Sequence, residues 1–277
     1  MGIVAYSSNG YHGFTVDEAL EGIAAAGFRY VELNAVKGWT EHIMPDMGEA
    51  EIERIRKKME TLGLTPIALS GHCNLMTDKR LKDFKANIHL AHRLGSRYIV
   101  TSTGEAHFGE GEEFSDEELI KNISGFIPLL EKYDMTLVIE LHGVKYGSGE
   151  PVYRLTQKIG SPRIGINYDT ANARFWGGVE CPLEDLDTCI SDVKYVHLKD
   201  QIGEKKSWNF CATGKGELPL KEFMEKLDAS GYDGVYSIEV EYDEAYCMRE
   251  KDQPGDLETA NEAAKESYAY MKSLGRV

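Results

Sequence analysis

The chain has 277 residues, 42% of them hydrophobic, which is enough to bury a core as one large domain or two small ones. A net charge of -15 excludes the basic face with which proteins grip polyphosphate backbones. Small anionic substrates, which need only one or two local cations, stay open. Five cysteines (73, 181, 189, 211 and 247) without C-x-x-C spacing read as free thiols in a reducing compartment. The N-terminus enters a strand at once (Ile3-Val4-Ala5-Tyr6), and no run approaches the roughly 20 apolar residues of a membrane span. A soluble cytoplasmic protein is expected, with no nucleic-acid or membrane partner.

Strand-like and helix-like segments alternate along the chain. The predicted strands are 3–7, 29–34, 65–70, 97–102, 136–142, 163–169, 193–199 and 234–241. Helical periodicity follows each, over 16–26, 48–62, 79–94, 115–133, 150–159, 182–191, 218–229 and 257–274. Over 48–62, Ile52, Ile55 and Met59 share one face and charges cover the other. Thr15-Val16-Asp17-Glu18 and Ser115-Asp116-Glu117-Glu118 are helix starts of the capping-box type. Such alternation favours a parallel sheet with helices outside, and eight units close into a (β/α)8 TIM barrel, one domain over residues 1–277. A doubly wound open sheet is the alternative, but no Gly-rich phosphate turn recommends it. Helix-to-strand connections are short (Ala26-Gly27-Phe28, Leu94-Gly95-Ser96), while strand-to-helix connections are long, notably 35–47, 103–114, 200–217 and 242–256. Long loops tend to carry function, and in a barrel these crowd the C-terminal face.

The same face collects the unusual polar residues. Side chains alternate along a strand, so Glu140 and His142 in Val138-Ile139-Glu140-Leu141-His142 point the same way. A charged group on the buried side of a strand is costly unless it is paired or binds a cation. The same oddity ends three further strands, at Asp169, His197 and Glu239. Two glutamates, an aspartate and an imidazole form an oxygen-rich set. It suits Mn²⁺ first, with Mg²⁺, Co²⁺ or Zn²⁺ as alternatives, and lacks the thiolates of closed structural zinc sites. Buried ion pairs would explain each residue alone, but such pairs are seldom spaced one per strand end. Glu241 shares the face of Glu239 and is the alternative at that strand end.

The order Glu140, Asp169, His197, Glu239 resembles the xylose isomerase-like, sugar-phosphate isomerase/epimerase superfamily of barrels. So do Tyr168-Asp169-Thr170-Ala171-Asn172, Val196-His197-Leu198-Lys199-Asp200, Trp208-Asn209-Phe210 with Gly214-Lys215-Gly216-Glu217, and Ser237-Ile238-Glu239-Val240-Glu241. The similarity extends over essentially the whole chain, including the run at 89–96. It implies that Glu140, Asp169, His197 and Glu239 ligate a divalent cation, with Glu140 and Glu239 doubling as acid and base. The implied reaction is isomerisation or epimerisation of a ketose, sugar phosphate or cyclic keto-polyol, through an enediolate stabilised by the metal.

One departure matters. Several epimerases of the family carry His three residues after the aspartate, where this chain has Asn172, which cannot shuttle protons at neutral pH. His142 is then a candidate base, and β-elimination by a lyase or dehydratase acting on a keto-sugar, keto-inositol or keto-glycoside is the alternative reaction. A DNA-repair endonuclease of the same barrel family would need additional histidines and a basic face, and the 8 His and net charge of -15 fit neither. His72, His107, Asn172, Lys199 and Trp208 are candidate carbohydrate contacts, Trp39 and Trp176 candidate wall residues, and each has an ordinary loop or salt-bridge role as its competitor. Gly214-Lys215-Gly216 is read as shaping the turn into the seventh helix rather than as a phosphate cradle. A small-molecule carbohydrate is the expected partner, with a homo-oligomer as a further possibility.

Overall fold

A computed structural model of the chain describes residues 2–75, 77–104, 115–241 and 256–277. In chain order these build β1 (Ile3–Ser7), α1 (Val16–Ala26), β2 (Tyr30–Asn34), α2 (Glu49–Leu62), β3 (Thr65–Ser70), α3 (Asp78–Leu94) and β4 (Tyr98–Thr101). Then come α4 (Asp116–Ser124), α5 (Ile127–Tyr133), β5 (Thr136–Glu140), α6 (Gly143–Tyr146), α7 (Gly149–Ile159), β6 (Ile164–Asp169), α8 (Thr170–Phe175) and α9 (Pro182–Asp185). The last group is β7 (Val193–Leu198), β8 (Asp200–Gln201), β9 (Phe210–Cys211), α10 (Leu220–Ala229), β10 (Val235–Ile238) and α11 (Leu257–Ser273). Eight parallel strands pair in the order β1-β10-β7-β6-β5-β4-β3-β2 and close a barrel, while β8 and β9 form a separate antiparallel ribbon.

Local chemistry sets the element ends. Thr15 caps α1 through a complete capping box with Glu18, and Ser115 accepts from the Glu118 N–H at the start of α4. Gly95 ends α3 at φ 81°, a left-handed conformation that costs glycine nothing. The helix expected over 115–133 is two helices, α4 and α5. Pro128 has no N–H to give and its ring crowds the carbonyl a turn earlier, so the chain restarts with proline in the first turn. The helix expected over 182–191 is one α-turn followed by 3-10 turns at Leu186–Thr188 and Ile190–Asp192. Two short helices, α6 and α8, stand where irregular loop was expected.

Two apolar layers result. The larger lies between the strands and the outer helices. The smaller fills the lower barrel with Ala5, Ile67, Ala68, Val100, Val138, Tyr195 and Val235, floored by Ile3, Tyr30 and Tyr98. Above it the barrel interior turns polar. An irregularity in β6 between Ile166 and Asn167 realigns that strand with β7, so that Asp169 lies opposite His197. Because strand side chains alternate, a one-residue slip would have put the two on different faces.

Candidate active site

The polar upper layer is where the four strand ends meet. Glu140 is the last residue of β5, Asp169 the last of β6, His197 lies in β7, and Glu239 follows β10 directly. All four are buried, and one ligand atom from each lies within 4.8 Å of the others. Glu241 is not a member of that group, so the geometry favours Glu239 at this strand end.

Each side chain is held by neighbours that leave one polar atom facing the centre. Asp169 Oδ1 accepts from the Ala171 and Asn172 N–H groups at 2.9 and 2.8 Å, capping α8. Its Oδ2 faces the cluster. Glu140 Oε1 accepts from Asn172 Nδ2 at 2.9 Å, and His72 Nε2 lies 2.9 Å from Oε2. Glu239 Oε1 accepts from Asn9 Nδ2 at 3.2 Å, while Lys199 Nζ stands 2.9 Å from Oε2. His197 Nε2 contacts Glu32 at 3.0 Å, and Tyr195 OH donates to the same carboxylate at 2.8 Å. The other ring nitrogen, Nδ1, has no hydrogen-bond partner among the described residues. It lies 3.6, 3.9 and 3.4 Å from oxygens of Glu140, Asp169 and Glu239.

A buried imidazole nitrogen ringed by three carboxylates is the arrangement a hard divalent cation fits. A carboxylate behind the histidine, here Glu32, is the usual companion of such a ligand. Protonation follows the same crowding. Burial pushes the Asp169 pKa up to about 8, helped by Glu140 and Glu239 against the pull of Lys199. For Glu140, burial works upward, but His72 and His197 outweigh it and hold the group well below the usual carboxylate range. For His197, burial disfavours the charge, and the surrounding glutamates overcome it, so its pKa is well raised.

A cleft opens above the cluster at the barrel mouth. His72, His142, Asn172, Lys199 and Trp208 all line it, as do Trp39 and Trp176. His142 stays extended beyond the end of β5 (φ -154°, ψ 145°), which keeps it on the Glu140 face, with its ring 5.0 Å from that of Trp176. Lys199 is 1% exposed, and its ammonium reaches Asp169, Glu239 and Glu241 at 3.3, 2.9 and 2.6 Å. His107 lies outside the described residues. Two contributors were not foreseen. Asn9 holds both Glu239 and Glu241, accepts from Trp39 Nε1, and comes from the 3-10 turn after β1. Glu32 carries the signal that marked the four strand-end residues, a carboxylate inside an apolar strand, and was readable by the same rule.

A barrel with such a site is the frame of a large class of enzymes. Residues 20–274 match the xylose isomerase-like TIM barrel family, and the chain belongs to it. An inosose dehydratase of Geobacillus thermodenitrificans is 26% identical over 265 residues, covering 75% of this chain and 88% of that protein. A C-glycoside deglycosidase alpha subunit of Arthrobacter globiformis is 28% identical over 138 residues, 45% of this chain and 35% of that one. Among solved structures, a D-psicose 3-epimerase superposes with a TM-score of 0.76 at 14% identity, covering 99% of this chain and 100% of the other, a likeness of fold.

Proposed function

We propose that the protein is a divalent-metal-dependent lyase that removes water, or another leaving group, from a keto-polyol. The observation that carries this reading is that both candidate carboxylate bases are held by side-chain partners, while an imidazole, His142, lines the same cleft. Both glutamates are pinned by donors, Glu140 by His72 and Asn172 and Glu239 by Asn9 and Lys199. Glu140, held well below the usual carboxylate range, is a good ligand and a poor proton acceptor. His142 lines the cleft on the Glu140 side and is an imidazole, the side chain suited to take a proton at neutral pH, whereas His72 is paired with Glu140. Asn172 cannot serve as a second shuttle. The inosose dehydratase relative bears the name of a water-removing enzyme.

Glu140, Asp169, His197 and Glu239 would hold the cation, which would supply Lewis-acid polarisation of the substrate carbonyl. A ring nitrogen of His142 takes the proton from the carbon beside that carbonyl. The C–H electron pair forms the new double bond as the hydroxyl on the next carbon leaves as water, taking the proton that His142 has collected and returning the imidazole to its neutral form. The tryptophans shield the reacting face from solvent. The second reading, isomerisation, keeps one supporting observation, the two glutamates on different sides of the cluster. Keto-sugars and keto-inositols incubated with Mn²⁺ in D₂O separate the two. Water loss with a new enone absorbance is expected. A mass-neutral product carrying deuterium at the reacting carbon would sink the elimination.

A further inference from the structure

We infer that the substrate of this cleft is uncharged, and that phosphate esters are excluded from it; the inference rests on reading the barrel mouth as a keto-polyol site. Three independent features point this way. The carboxylates of Glu140, Glu239 and Glu241 line the cleft, Asp169 stands within the cluster, and Glu32 lies beneath it, all of them buried. Against these five groups the lining contributes a single ammonium among the described residues, that of Lys199. Among the described residues the lining stays net negative even with a divalent cation in place, and an anionic substituent would meet repulsion in a poorly screened setting.

The second feature is that Lys199 has nothing left to offer an anion. Its Nζ is surrounded by Asp169, Glu239 and Glu241 at 3.3, 2.9 and 2.6 Å, with Asn172 Oδ1 at 3.4 Å. A phosphate could recruit it only by stripping three carboxylates of their partner. The third feature concerns the turn after the seventh barrel strand, the region where barrels often build a phosphate site from backbone amides. Here the amides of Gly214, Gly216 and Leu218 converge at 2.9, 3.0 and 3.2 Å on the carboxylate of Asp200, itself 1% exposed. This turn has filled its own anion cradle. Lys215, on the same turn, reaches outward to Glu266 at 2.8 Å.

The test uses the full-length, Mg²⁺-supplemented protein and matched probes. D-fructose is compared with D-fructose 6-phosphate, and myo-inositol with its 1-phosphate, by calorimetric titration. Each neutral probe is expected to bind at least about 30-fold tighter than its ester. In parallel, 10 mM inorganic phosphate should leave the melting temperature within about 1 °C of a chloride control of equal ionic strength. Glu241→Gln should narrow the neutral-to-ester ratio by about tenfold, since it removes one repelling charge. An ester that binds as tightly as its parent, or a melting point raised by phosphate, overturns the inference and leaves the lyase reading standing. Should no keto-polyol be turned over, the reaction reading falls, and the phosphate response still decides the charge of the ligand.

Discussion

Glu32 shows how much of this site is built behind the groups that would touch a cation. It is fully buried and shared between His197 and Tyr195. Burial raises the cost of its charge, and His197 more than compensates, so its pKa is lowered. Glu32→Gln should preserve the fold while loosening the His197 ring, and cation affinity should fall by about 10–100-fold in a competition assay with a metal-sensitive dye. Glu32→Ala strands a buried imidazole and should cost about 3–5 kcal/mol in chemical denaturation. Asp169→Ala and His197→Ala should lose the bound ion altogether by elemental analysis; stoichiometric metal in both would remove the ligand assignment. His142→Ala should lower turnover by about 10²–10⁴-fold with metal content unchanged. If turnover survives, His142 is a contact and not the base.

At the scale of elements, the short helices α6 and α8 are what aim His142 and Asn172 into the cleft. They pack through Gly147 and Gly177, where a Cβ on Gly147 would sit 2.6 Å from the Gly177 nitrogen and one on Gly177 would sit 2.4 Å from the Gly147 carbonyl oxygen. Neither approach leaves room for a side chain, and the obstructing atoms are backbone, so one helix must move. Gly147→Ala should therefore shift α6 and reduce turnover by about 10²-fold through misplacement of His142. The barrel strands below carry the main core and do not depend on this contact, so the melting temperature should change by only a few degrees. A variant with full activity would show that α6 tolerates the shift.

Over the whole molecule, the proposed cation would compete with protons for one cluster. Without a cation, Asp169 has a folded pKa of about 8 against an ordinary 3.8. Between those values the folded chain keeps a proton that the unfolded chain has lost, so stability falls as pH rises through that window. His197 is raised as well: its contribution is complete below its ordinary value of 6.5 and is lost as pH climbs through the folded value. Glu140, which is lowered, acts the other way and loses its contribution only as pH falls below its ordinary 4.5. A bound cation replaces the protons in these roles. The gap in melting temperature between Mn²⁺-loaded and EDTA-treated protein should therefore widen from about pH 6 to pH 8.5. A gap that is constant or shrinks would contradict the cluster as the binding site.

The alternation of strand and helix, the barrel, the capping of α1 and the four residues at the strand ends were all legible in the chain, because each is a local pattern of period, cap or charge within a few residues. The break at Pro128 was legible too, and was missed because the apolar spacing on either side stays in phase. Other features depend on residues far apart in sequence. Asn9 reaches Glu239 across 230 positions, and Tyr195 reaches Glu32 across 163, so no window along the chain contains either pair. The choice between Glu239 and Glu241 turned on which carboxylate the end of β10 brings within reach of His197, while Lys199 was claimed by three carboxylates from other strands. Asp200 filled the amides of its own loop only once the turn at Gly214–Gly216 had folded back over it. Barrel closure fixes these distances, since eight strands that carry their ligands separately along the chain are forced by curvature and stagger to present them around one axis.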